Sequence, residues 1–200
     1  LSCGERAKKA GYWTIKAVVN GTHTSNVVNV EVKYPDANAI RGNGVVSSNM
    51  AALWQETKHA ASANGRSERA CWIYVNTSSM TYECGETIVG PNTVGCNGSS
   101  ASVDVGTRSE SVSASPIIGG RYAVAVFHTH TPLTFCSTDN SRVVGPSLAD
   151  VLFANSQGVP GFVYDYYGWN VSGFMIINGA HGINDSSEIT SFGPSSRATP

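Results

Sequence analysis

The chain has 200 residues, enough for one domain with a proper core, and 41% of them are hydrophobic. Charged residues make up only 14%, and 13 Lys and Arg against 14 Asp and Glu leave a formal net charge of −1. That balance excludes a phosphate-gripping nucleic-acid surface, and no apolar run approaches the length of a transmembrane span. Neutral polarity takes the place of charge. Ser, Thr and Asn together number 55 and Gly 21, a loop-rich surface of the kind that exported proteins carry.

The chain opens Leu1-Ser2-Cys3-Gly4 without an initiator Met, as the mature edge of an exported or lipidated protein would. Tyr12 to Val19 alternates and runs into Asn20-Gly21, the strongest short hairpin signal, with Ser25 to Val32 as the return strand. Two strands alone are marginal. Residues 1–36 therefore read as an N-terminal β-hairpin, the end of an immunoglobulin-like module in a longer chain. A loop from Tyr34 to Val46 leads to a helix over residues 48–64, capped by Ser47 or Ser48, with Met50, Leu53, Trp54 and Ala61 on one face and Gly65 as the stop.

Ala70 to Val75 is an apolar strand, and Trp54 and Trp72 read as core. Residues 78–119 are rich in Ser, Gly, Thr and Asn and read as hairpins and loops, with β-like pieces at Thr87–Val89 and Ala101–Val105. Five Cys is an odd number, so pairing cannot be complete. Cys71 sits in an apolar run as a buried thiol. Cys84 and Cys96 flank a Gly- and Pro-containing stretch, placed to staple a hairpin in an oxidising compartment.

Tyr122 to Phe127 is a buried strand that ends in His128-Thr129-His130. Sixteen irregular residues separate His130 from Ser147, where Gly145-Pro146-Ser147-Leu148-Ala149-Asp150 opens a helix that stops near Gly158. Strands Gly161–Tyr166 and Val171–Ile177 follow, joined by a turn at residues 167–170. Residues 186–200 read as a polar, poorly ordered tail.

Two His at i and i+2 on a strand point to one face, and Ser147 and Asp150 share a face in the first turn of a helix. Brought together, His128, His130 and Asp150 supply three ligands to one metal and leave a fourth position open for water, the mark of a catalytic zinc site. Two neutral imidazoles and one carboxylate keep such a site net positive, which lowers the pKa of a bound water.

His128-Thr129-His130 followed by Ser147-Leu148-Ala149-Asp150 resembles the JAMM signature of the MPN/JAB-domain metalloproteins, in a divergent, exported, bacterial form. The resemblance is one of motifs, covers roughly residues 45–178, and makes residues 45–185 the JAMM/MPN-like metal-binding domain. It implies an α+β fold, a mixed sheet flanked by helices in the cytidine-deaminase-like arrangement. It implies zinc on His128, His130 and Asp150, a Glu as general base, and Ser147 stabilising the oxyanion. Glu68, in Ser67-Glu68-Arg69-Ala70, follows the first helix and precedes the first buried strand, as the family's Glu does. Glu83, in Tyr82-Glu83-Cys84-Gly85, is the alternative, but it lacks both that helix and that strand. The segment from Thr131 to Pro146, with Cys136, is longer than in typical members and stands either as a lid over the metal or as a disruption of the site.

The remaining candidates are weaker. His181 reads as an exposed loop residue or as a wall of the cleft, while His59 and His23 have no partner at ligand spacing. Lys58, Arg66 and Arg69 read as a solvated helix end. A Pro-Cys-x-x-Cys pair, as a zinc deaminase would use, is absent. The sequence thus points to a zinc hydrolase acting on a peptide or protein substrate, with an inactive binding module of the same fold as the second reading. The oligomeric state is not legible in it.

Overall fold

The computed structural model describes residues 9–16, 18–19, 23–96, 101–112 and 118–199. Strands β1 (Gly11–Ile15) and β4 (Val28–Val32) pair antiparallel, and β2 (Val18–Val19) pairs with β3 (His23–Thr24). The expected N-terminal hairpin is therefore present, although its Asn20-Gly21 turn lies outside the described residues. Ala10 and Tyr34, at its base, join the main core, whereas Ile15 and Val28 near its far end are exposed.

Helix α1 (Ala37–Gly42) is capped by Asp36, whose carboxylate accepts from Ala39 N at 2.8 Å. Helix α2 (Gly44–Ala60) begins earlier than Ser47 or Ser48. Asn43 is its cap, since the carboxamide oxygen accepts from both Val45 N and Val46 N, at 3.0 and 3.3 Å. The earlier start extends the apolar face by Val46, which is buried with Met50, Leu53 and Trp54. The helix also ends before Gly65, with Ala61 as C-cap rather than as part of the apolar face.

The fold is α+β. Its main sheet has six strands: β5 (Arg69–Asn76), β6 (Thr81–Cys84), β7 (Ile88–Val89), β8 (Arg121–Thr129), β10 (Gly161–Tyr166) and β13 (Ser187–Phe192). The order is β13-β10-β8-β5-β6, with β7 also on β5, and among the described residues only β8 and β10 run parallel. Helix α3 (Leu148–Gln157) lies in the crossover between those two strands. A smaller three-stranded sheet has the order β11-β12-β9, from β11 (Trp169–Val171), β12 (Phe174–Asn178) and β9 (Ser141–Val143).

One face of the main sheet packs Cys71, Ile73, Phe127 and Phe162 against Val46, Met50 and Leu53 of α2. The other packs Ala70, Trp72 and Val126 with Phe153 of α3 and with Val105. A register shift between Ile73 and Tyr74 leaves Val124 as an extra residue on β8, opposite no partner. This β-bulge changes which parity faces α2. Beyond it, Val126, His128 and His130 point to the α3 side.

Several expectations are corrected. The two strands read over 161–177 do not form one hairpin, because β10 belongs to the main sheet and the turn falls at Ser172-Gly173, with φ +52° and +86°. Residues 101–105 form no strand. The expected polar tail contributes β13, antiparallel to β10, and Arg197 beyond it pairs with Glu110 and donates to Ala123 O at 2.8 Å. Ser187 to Phe192 carries only two apolar residues, but Ile189 packs on the core and Phe192 lies 6.0 Å from the His128 ring. Lys58, Arg66 and Arg69 are not a solvated helix end. Lys58 is buried and donates to Ile183 O at 3.1 Å, Arg66 is buried, and Arg69 pairs with Glu56 at 3.2 Å.

Cys96 pairs with Cys136, not with Cys84. Cys84 lies across from Ile73 on β6 and packs toward Cys71, and both thiols are free. Among the described residues no helix is long and apolar enough to cross a membrane. The Cys96–Cys136 disulfide is consistent with an oxidising, extracytoplasmic location.

Candidate metal centre

Strand β8 holds His128 opposite Ala70 of β5 and beside Val163 of β10. His130 lies one residue past the strand, where its N–H still donates to Tyr164 O at 3.0 Å. Both imidazoles therefore leave a rigid, buried strand end on one face. Asp150 comes from the first turn of α3, where Ser147 is the N-cap. Ser147 Oγ accepts from Asp150 N at 3.2 Å, and Asp150 Oδ2 accepts from Ser147 N at 2.7 Å, a reciprocal capping box.

These elements bring three ligand atoms together. His128 Nε2 and His130 Nε2 are 3.3 Å apart, Asp150 Oδ1 is 3.4 Å from His128 Nε2, and Asp150 Oδ2 is 3.7 Å from His130 Nε2. An ion with tetrahedral bonds of about 2.0–2.1 Å holds its ligand atoms roughly 3.3–3.4 Å apart. The three residues thus form a group that can hold a metal ion.

The tautomer of His130 supports that fit. Its Nδ1 faces Asp165 Oδ2 at 2.8 Å, so Nδ1 carries the proton and Nε2 offers its lone pair to the ion. Asp165 is 2% exposed. It also accepts from Arg142 Nη1 at 2.7 Å, Arg142 Nη2 at 2.6 Å, Gly145 N at 3.1 Å and Tyr166 N at 2.7 Å. Arg142, from β9, further donates from Nε and Nη2 to Thr131 O at 3.1 and 2.8 Å. Sequence reasoning missed Asp165 and Arg142. The signal was Asp165 itself, a carboxylate inside the apolar strand Gly161–Tyr166, which must have buried partners.

Electrostatics follow from this packing. In the metal-free protein, burial favours a neutral His130, but hydrogen bonds to Asp150 and Asp165 outweigh it and raise its pKa to about 9. Burial works against ionisation of Asp150 too, yet His128 and His130 hold its carboxyl well below the usual range. Arg142 does the same for Asp165 against a still stronger burial. Glu68 is pushed above the usual carboxyl range by burial, and the charges of His130 and His128 pull it partly back.

His128, His130 and Asp150 open into a cavity of about 930 Å³ that Glu68, Ser147 and Arg66 also line. Glu68 lies just before β5, in line with His130 by the Ala70–His128 register, and is 7% exposed. Its apolar walls include Val103, Val105, Val126, Phe153 and Phe192. Glu83 is elsewhere, exposed on β6 against Arg121. Ser147 is exposed at the cavity wall. The segment after His130 carries Cys136, whose disulfide ties it to Cys96 at the cavity wall.

The other candidates fall outside this group. His181 is neither exposed nor in the cavity wall. It is buried against Tyr166, ring centroids 3.8 Å apart, with Trp169 at 5.7 Å. His59 is exposed near the end of α2, and the side chain of His23 lies outside the described residues.

Fold and site together define an α+β protein with a candidate mononuclear metal centre at the end of a buried strand. No family model, curated protein or solved structure matches this chain.

Proposed function

We propose that the chain is a zinc-dependent hydrolase of the JAMM type, cleaving a peptide or isopeptide amide. The observation that carries this reading is the meeting, in one cavity, of two imidazole nitrogens 3.3 Å apart, the Asp150 carboxylate whose Oδ1 and Oδ2 lie 3.4 and 3.7 Å from them, and the buried carboxylate of Glu68. His128, His130 and Asp150 hold the ion in this reading. Bound zinc supplies Lewis acidity, activating a water and polarising the scissile carbonyl.

The chain's own residues do the rest. Glu68 takes a proton from the attacking water and delivers it to the departing nitrogen as the C–N bond breaks. Its raised pKa suits a group that must both accept and return a proton. Ser147 Oγ uses a lone pair for the Asp150 N–H, which leaves its own O–H to stabilise charge developing on the carbonyl oxygen. Asp165, clamped by Arg142, keeps the Nδ1 proton of His130 in place. The apolar walls limit the water around these groups and so strengthen their interactions.

Metal analysis of the purified protein should find about one zinc per chain, and His128→Ala or Asp150→Ala should abolish it. The zinc-loaded protein should cleave members of a broad peptide library. Zinc without cleavage would make the chain a metal-bearing binding module, and no zinc at all would remove the basis for both.

A further inference from the structure

The three-stranded sheet beside the cavity is one strand short. Among the described residues β9 pairs only with β12. Val144 N donates to Met175 O at 2.9 Å and Gly179 N to Asn140 O at 3.1 Å, which fixes the residues that bond toward β12. Inward and outward pairs alternate along an antiparallel ladder, so Ser141 and Val143 turn their N–H and C=O groups away from it. Both residues line the cavity that holds the metal centre.

The edge is also undefended. Natural edges carry lysines, prolines or inward-pointing charge to discourage an added strand. The one charge on β9 belongs to Arg142, whose guanidinium is turned onto Asp165, Thr131 O and Val143 O. The Val143 N–H and the Ser141 N–H and C=O remain as outward groups, and Val143 O, which accepts from Arg142, keeps a second lone pair.

The side chains point the same way. Register places Trp169, Ile176 and Val143 in one row across the sheet, and Trp169 and Val143 are 50% and 56% exposed. Residues 167–178 contain no charge. The row stops at the open edge, and a further wall of the cavity is the segment 101–105, which forms no strand. Outward backbone groups beside a cross-strand apolar row recognise one chemical class, an extended polypeptide.

We propose that the cavity takes its substrate as an extended polypeptide strand, added to the free edge of β9, with the side chain opposite Val143 continuing the Trp169–Ile176–Val143 row. The chemistry this serves rests on the amide-hydrolase reading, but the binding mode does not. Substrates are then polypeptides with an apolar residue at the position opposite Val143, and small isolated amides are poor ones.

Two measurements on the full chain test this. Library peptides retained by zinc-loaded Glu68→Gln protein are identified by mass spectrometry, and the best is remade with single backbone N-methyl groups along its length. Each methyl removes one N–H donor, so retention should fall roughly tenfold at every second position and stay near the parent value between them. Val143→Pro, which removes one outward donor but none of the bonds to β12, should weaken the parent peptide roughly three- to tenfold with zinc content unchanged. A profile without period two, unchanged retention in Val143→Pro, or no retained peptide overturns the proposal. Peptides cleaved by wild type without the period leave the hydrolase reading standing. Peptides retained with the period but never cleaved leave the strand site standing and remove the hydrolase reading.

Discussion

Replacing Asp165 by Asn removes a charge from the centre without changing shape. Asp165 receives the His130 Nδ1 proton at 2.8 Å in a site where it is 2% exposed. An amide accepts that proton more weakly and can present its NH2 group instead, which frees His130 to take the other tautomer. Loss of such a partner typically costs 10- to 100-fold in metal affinity, roughly 1.4–2.7 kcal/mol. A second cost falls on stability. Arg142 loses a bidentate ionic partner at 2.6 and 2.7 Å, and breaking a buried pair costs about 3–5 kcal/mol. The two are separated by measuring zinc affinity against a chromophoric chelator well below the unfolding temperature, with near-UV circular dichroism as the check on folding. Arg142→Gln should destabilise the fold but reduce zinc affinity less than Asp165→Asn, because the carboxylate still holds His130. Folded Asp165→Asn that binds zinc as tightly as wild type refutes the positioning role.

Other outcomes follow from the same contacts. Zinc binding at about pH 7.5 should release about one proton, because His130 with its pKa raised to about 9 must lose it to become a ligand; calorimetry in buffers of different ionisation enthalpy reads the number. Stability of the metal-free protein should be full near the ordinary His value of 6.5 and fall as pH rises through about 9, since the raised pKa marks a favourable protonated state. It should also fall as pH drops below the ordinary Asp value of 3.8, since Asp150 and Asp165 are held below it, and denaturant titrations across pH check both limbs. Replacing Cys96 and Cys136 together by Ser opens a loop between residues 40 apart, which by chain entropy should cost about 4 kcal/mol in calorimetric unfolding. Ser147→Ala should cost about 1 kcal/mol as a lost cap and roughly 10²-fold in kcat with KM unchanged; stability loss alone would confine Ser147 to capping.

How far the sequence carried the fold depended on how local each signal was. The buried strand ending at His128 and the helix opening at Ser147 follow from an apolar run and a cap, and both are where expected. The start of α2 was missed because Asn43 outcompetes Ser47 and Ser48 by reaching two N–H groups at once. Strand β13 was hidden by polar composition, since an edge strand needs only Ile189 and Phe192 to be apolar. The Val124 bulge has no sequence signature, although it fixes which face His128 and His130 occupy.

The site shows the same division. His128 and His130 share a face by their i, i+2 spacing and Asp150 a helix turn with Ser147, whereas the meeting of Asp150 with the histidines, 20 residues or more apart in sequence, was expected from the motif resemblance and is present in the fold. Glu68 was read ahead of Glu83 from the elements that flank it, and Glu68 lines the cavity while Glu83 does not. Asp165 and Arg142 lie 23 residues apart on different sheets, and only the folded chain joins them to His130. The Cys96–Cys136 pairing likewise depends on which loops meet over the cavity, not on spacing.

The central claim is that Glu68 drives water attack beside a zinc held by His128, His130 and Asp150. Its most direct test is peptide hydrolysis by wild-type and Glu68→Gln proteins matched in zinc content. The account predicts equal zinc, about one per chain, and a fall in kcat of roughly 10²–10⁴-fold in Glu68→Gln. Hydrolysis by Glu68→Gln at the wild-type rate, with zinc in place, would contradict it.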